Sequence, residues 1–142
     1  MSVGYLHLPE GCEPPALEKH PFKAVVVLDQ VVGGDWRDRI SDWLVRSGCL
    51  YMMAWGPDCS AWDDSVAEAN RALFGFGGIP DDGHVMTTWH EKETLAEAFW
   101  YAGFCAFHPT HPLDHTLIVH IGPEDRSGEL LGAYAEAQGL IS

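Results

Sequence analysis

What most constrains the fold of this chain is a repeated pairing: a short continuous apolar run, then a stretch with helical periodicity. In FKAVVVLD, the residues Val25, Val26, Val27 and Leu28 are apolar at every position rather than at alternate ones. That pattern fits a strand covered on both faces, as in a parallel sheet. Runs of the same kind recur at 50–55 (LYMMAW), 84–89 (HVMTTW) and 116–121 (TLIVHI).

A helical pattern follows each run. Trp36, Ile40, Trp43 and Leu44 share one face of residues 36–46, with Asp35 placed to cap the start and Gly48 to stop the end. Ser60, with Asp63 three residues on, opens a helix whose apolar stripe is Trp62, Val66, Ala69 and Leu73. Leu95, Phe99 and Ala102 mark a third helix over 93–105; Leu130, Leu131, Tyr134 and Ala135 mark a fourth over 128–138. Strands alternating with helices of this length predict parallel pairing through right-handed crossovers. The expected class is α/β: a small doubly wound (flavodoxin-like or Rossmann-like), four-stranded, mostly parallel sheet with helices on both faces and strand order 2-1-3-4. An antiparallel edge strand from the N-terminal segment is the alternative to a purely parallel sheet.

At 142 residues and 46% hydrophobic, the chain has material for one core and is too apolar for disorder. Residues 1–21 contain Pro9, Pro14, Pro15 and Pro21 and read as a proline-rich arm, pinned by Tyr5, Leu6 and Leu8. A short strand at 3–8 is the one regular element open to it. Residues 22–142 read as a single α/β domain.

Acidic residues outnumber basic ones 21 to 8, a formal net charge of −13, and the lysines and arginines are scattered. This balance argues against nucleic acid and anionic membrane as partners. No apolar run approaches the roughly 20 residues of a membrane span. The four cysteines form no CxxC pair, and no charged region followed by an apolar leader is present, so a cytoplasmic protein with reduced thiols is expected.

In a parallel sheet the C-terminal strand ends share one rim. Here that rim gathers Asp29 and Gln30, Asp58 and Cys59, His90 and Glu91, and His120 or the residues after it. Two chemistries suit these residue types. Asp29, Asp58, Asp64, His90 and Glu91 are donors for a divalent metal. Cys59 at a helix start is a candidate nucleophile, with His90 as base and Asp58 beside it, although Asp58, Asp63 and Asp64 oppose a thiolate there. His108, His111 and His115 form a second candidate metal group in a proline-interrupted loop. There is no GxGxxG, no Walker loop and no receiver-type acidic pair. Six tryptophans are many for a chain this short, and Trp89 and Trp100 are the two expected on a partner surface.

The run SDWLVRSGCLYMMAWGPDCSAWDDSVAEAN, residues 41–70, followed by VMTTWHE at 85–91, resembles a small bacterial domain family of unknown function. The likeness extends over 22–121. It implies a bacterial or phage origin and carries no activity and no site residue. The functional expectation is an acidic cytosolic protein-interaction module, binding a protein partner or a second copy as a homodimer. The alternative is a small enzyme, or a ligand- or metal-binding domain, using the Asp/His/Cys cluster at the strand ends.

Overall fold

All seven residues of β2 (Phe22–Leu28) are buried, as the apolar run Ala24–Leu28 requires, and the one charged residue among them, Lys23, donates from Nζ to the Ala102 carbonyl at 2.5 Å. The strand lies at the middle of the sheet in the computed structural model, which describes residues 2–139. The other strands are β1 (Ser2–Leu8), β3 (Cys49–Trp55), β4 (Met86–His90) and β5 (His115–Ile121), and the sheet order is β1-β5-β2-β3-β4. Every neighbouring pair is parallel.

Three expectations are corrected here. The sheet has five strands, not four. The four strands foreseen run 4-1-2-3 in their own numbering, not 2-1-3-4, because β5 inserts beside β2. Alternation along the chain dictates parallel pairing but leaves the choice of neighbour to packing. Finally, the short strand open to residues 3–8 forms over 2–8, so these residues belong to the sheet and not to the arm, and β1 pairs with β5 in parallel, not antiparallel. Leu6 and Leu8 pack into one face of the core and Tyr5 packs against the other, the period-two alternation of an edge strand.

Of the first 21 residues, 9–21 lack regular structure, and they run beside α1 (Gly34–Arg46). The Trp36 indole N–H donates to the Cys12 carbonyl at 2.9 Å and the Trp43 indole to the Pro15 carbonyl at 2.7 Å. Arg39 pairs with Glu13 between these two contacts. This segment replaces a crossover helix between β1 and β2.

Helices cover both faces. Trp36, Ile40 and Leu44 of α1 and Trp62 and Val66 of α2 (Cys59–Leu73) pack on Ala24, Val26, Met52 and Val119. Phe99 and Ala102 of α3 (Leu95–Phe104) and Leu130 and Tyr134 of α4 (Ser127–Ala137) pack on Val25, Val27, Met53 and Ile118. Each fully buried side chain of this size contributes roughly 1.5–3 kcal/mol relative to exposure.

Two helix starts differ from the sequence reading. The N-cap of α1 is Gly33, whose N–H is accepted by Glu10 Oε2 at 2.8 Å, and Asp35 lies inside the first turn. The N-cap of α2 is Asp58, left-handed at φ 65°, so Ser60 is already helical and caps nothing. In both cases the turn leading out of the preceding strand fixes the start. The α3 start is a local capping box between Thr94 and Glu97.

Candidate functional site

The C-terminal strand ends form one rim, and its topology singles out one place on it. From β2 the chain departs to α1 on one face; from the neighbouring β5 it departs to α4 on the other. In open α/β sheets this switch point opens the crevice where ligands bind. Asp29 follows β2 here, and His120 is the penultimate residue of β5.

His120 is fully buried, so both ring nitrogens need partners. Its Nε2 lies 2.6 Å from Asp29 Oδ2 and its Nδ1 2.7 Å from the Tyr5 hydroxyl. The Tyr5 oxygen also accepts the Arg126 backbone N–H at 2.9 Å. The Asp29 carboxylate can only accept, so Nε2–H donates to it, and the Tyr5 hydroxyl partners Nδ1, which leaves no ring nitrogen without a hydrogen bond. Arg126 Nη1 bonds both Asp29 oxygens, at 2.7 and 2.8 Å, and its other nitrogens reach Glu129. The His7 ring stacks on His120 at 5.3 Å and donates from Nε2 to the Gly122 carbonyl at 2.6 Å. Gly122 leaves room for this: a Cβ there would sit 3.1 Å from both Asp29 Cβ and His120 Nε2.

The electrostatics follow from the contacts. Burial pushes the Asp29 carboxyl up, but hydrogen bonds and charge from Arg126 and His120 more than offset it and hold the group below the usual carboxylate range. Burial raises the Tyr5 phenol, against the Arg126 N–H, which lowers it. Glu129 and then Asp29 raise the Arg126 guanidinium. This set ties β1, β2, β5 and the start of α4 together, and its polar atoms are spent on one another.

The other rim residues lie apart from it. Cys59 is buried in the α1–α2 core, while the His90 ring lies on the opposite face, edge-on to Tyr101 at 5.0 Å. His90 Nδ1 bonds Glu93 Oε2 at 2.9 Å and Nε2 bonds Thr88 Oγ1 at 3.0 Å, so neither nitrogen addresses the thiol. Asp58 faces Arg37, with Nη1 3.8 Å from Oδ2. Asp64 and Glu91 are exposed. Asp29, Asp58, Asp64, His90 and Glu91 therefore do not converge, and the described residues hold no group of three or more His, Cys, Asp or Glu disposed to ligate a metal. In the loop, the His108 and His111 rings lie 5.6 Å apart, but His108 is bonded to the His84 carbonyl and to Thr110, and His115 to Ser2.

Burial, then the charge of Glu91, raises the Cys59 thiol despite backbone N–H groups that lower it. Burial pushes Cys49 up to about 12. Cys105 is exposed. Iodoacetamide at neutral pH is therefore expected to alkylate Cys105 in the folded protein and to spare Cys49 and Cys59 until denaturant is added. Peptide mapping by mass spectrometry checks this, and Cys59 reacting as fast as Cys105 would contradict it.

Trp89 and Trp100 are 49% and 51% exposed. Sequence reasoning missed their companions, Phe104 at 49% and Phe107 at 72%. The Trp100 and Phe104 rings lie 5.6 Å apart and form an aromatic ridge on α3, while Phe107 is exposed in the loop after it. Beside Trp100 is a shallow groove of about 400 Å³ lined by Glu93, Ala96, Glu97, Tyr101 and Ala137. Periodicity held a signal for the ridge: Trp100 and Phe104 stand four apart, on a face that Phe99 and Ala102 do not share. Tyr5, His7 and Arg126 carried no such signal, since their partners are more than a hundred residues away for the first two and 97 for Arg126.

Among the described residues no helix is long and apolar enough to cross a membrane. No curated protein and no solved structure matches the chain. A family model matches residues 3–137, nearly the whole length, and the chain belongs to the family described as Domain of unknown function (DUF7684).

Proposed function

We propose that the protein is an acidic cytosolic interaction module that docks a basic protein partner on the aromatic ridge of α3. The observation that carries this reading is the exposure of Trp100 and Phe104, ring beside ring on a helix whose inward residues already complete the core, with Phe107 exposed in the loop that follows. Aromatic side chains standing in water lose little on binding and gain much when a partner encloses them, which is why Trp dominates binding hot spots.

Charge selects the partner. Glu93 and Glu97 border the groove beside Trp100, and the chain carries −13 overall. A second copy would meet this surface with the same charge, so a different, basic protein is the better fit than a homodimer. An arginine laid over the Trp100 ring between the two glutamates would combine a cation–π contact with charge attraction.

The test uses defined probes. Two peptides of equal length, one bearing arginines and leucines and one with each arginine replaced by glutamate, are titrated into the ¹⁵N-labelled protein. The basic peptide is expected to shift the Trp100 indole resonance and the α3 amides, and Trp100→Ala is expected to weaken it by about 2 kcal/mol, on the order of 30-fold. Equal binding of the acidic peptide, or shifts centred away from α3, would overturn the reading.

A further inference from the structure

The opposite edge of the sheet, where the strands begin, holds the larger cavity. It is a cleft of about 500 Å³, walled by Val45 at the end of α1, Leu73 and Phe74 at the end of α2, Cys49 and Leu50 of β3, and Val85. This volume is in the range of small-molecule sites, roughly 300–1,000 Å³, and the walls are apolar as such sites usually are. Lys19, His20 and His111 stand at the rim, with Asp82 as the one carboxylate among the lining residues.

Three independent ties hold the walls in place. Gly48, at φ +106°, lets the His20 backbone pack where a Cβ would overlap its carbonyl. The Phe74 ring occupies the place a Cβ of Gly83 would take. Asn70, itself 2% exposed, donates from Nδ2 to the Gly83 carbonyl at 2.9 Å and accepts the Val85 N–H on Oδ1 at 3.0 Å. The cleft is thus preformed, and a ligand entering it orders no loop.

We infer that this cleft binds a small monocarboxylate with an apolar tail. The tail lies on Leu50, Leu73, Phe74 and Val85; the carboxylate meets the Lys19 ammonium, with the His111 ring beside it, while the His20 Nδ1–H is taken by the Glu18 carbonyl at 2.9 Å. In a chain with 21 acidic residues against 8 lysines and arginines and 8 histidines, a cleft lined by one lysine and two histidines against one carboxylate departs from the average balance. Asp82 disfavours a second negative charge, which limits the ligand to one carboxylate.

The experiment titrates octanoate and, separately, octylamine into the full chain and into Lys19→Glu, reading methyl resonances of Leu50, Leu73 and Val85. Lys19 is exposed, so its replacement leaves the core intact, and a thermal melt checks that. Octanoate is expected to shift these methyls and to bind about fivefold more weakly to Lys19→Glu, while octylamine shows the opposite preference between the two proteins. Absence of octanoate shifts at these methyls, or equal octanoate binding to both proteins, would overturn the inference.

Discussion

Gly56→Ala is expected to lower stability by roughly 3 kcal/mol or more, through two costs that add. Gly56 follows β3 at φ +114°, a conformation that L side chains rarely adopt. Its new Cβ would also overlap the Leu28 carbonyl oxygen, at the end of the buried central strand. Neither the β2 end nor the β3 turn can retreat without breaking the rim, since Asp29 N–H already bonds the Ile121 carbonyl at 2.9 Å. Gly75→Ala separates the two costs: Gly75 has φ +65° but nothing within 4 Å of its Cβ position. That variant pays for backbone strain alone, about 1 kcal/mol. Urea denaturation of both checks this, and equal midpoints would show that the close approach at Leu28 contributes nothing.

The second large effect is at the switch point. Asp29→Ala removes the acceptor of a fully buried histidine N–H and both oxygens that Arg126 bonds. A buried donor left without a partner costs about 1–3 kcal/mol, and a broken charge pair adds to it, so a total of roughly 2–4 kcal/mol is expected. The pH dependence carries a sign. Asp29 is held below the ordinary carboxylate range in the folded state, so below that ordinary value, near 3.9, the unfolded chain binds more protons. The stabilisation is complete above the unfolded value and is lost as pH falls from there through the folded one. Asp125 and Glu129, lowered chiefly by Ser127 and Arg126 respectively, act in the same direction. Wild-type stability is therefore expected to fall more steeply below about pH 4 than that of Asp29→Asn. Parallel pH profiles from thermal melts would show that the His120–Asp29–Arg126 tie does not form in solution.

Much of this architecture was legible in the residues, and the boundary of legibility has a physical cause. β2 and β3 announce themselves because a strand covered on both faces must be apolar throughout, and Val25–Leu28 and Leu50–Ala54 are. The four helices show through Trp36, Trp62, Phe99 and Leu130, each anchoring an apolar stripe. The exposure of Trp89 and Trp100 was legible too, because six tryptophans exceed what one small core encloses. β1 was only faintly legible, as a short strand open to 3–8, because an edge strand needs only alternation, and Tyr5 and His7 alternating with Leu6 and Leu8 give a short and polar version of it.

What failed to show depends on contacts distant in sequence. Glu10 reaches the Gly33 N–H at the start of α1 across 23 positions, where local rules point to Asp35. Arg126 reaches Asp29 across 97. Strand-end logic placed Asp29 and His120 on the rim but could not say that Asp58, Cys59 and His90 are parted by the sheet itself. That depends on which face each side chain takes: β3 divides its own between two cores, Cys59 lies in one of them, and the His90 ring meets Tyr101 on the other side.

The interaction reading is tested most directly by photo-cross-linking inside cells. A photoreactive residue is placed at position 104 on the ridge of α3 and, as a control, at position 68 on α2, which packs on the opposite face of the sheet. Position 104 is expected to yield one discrete adduct with a protein rich in arginine and lysine, lost when Trp100 is also replaced by alanine, and position 68 to yield none. The same adducts from both positions, or a ridge adduct that survives Trp100→Ala, would contradict docking through this helix.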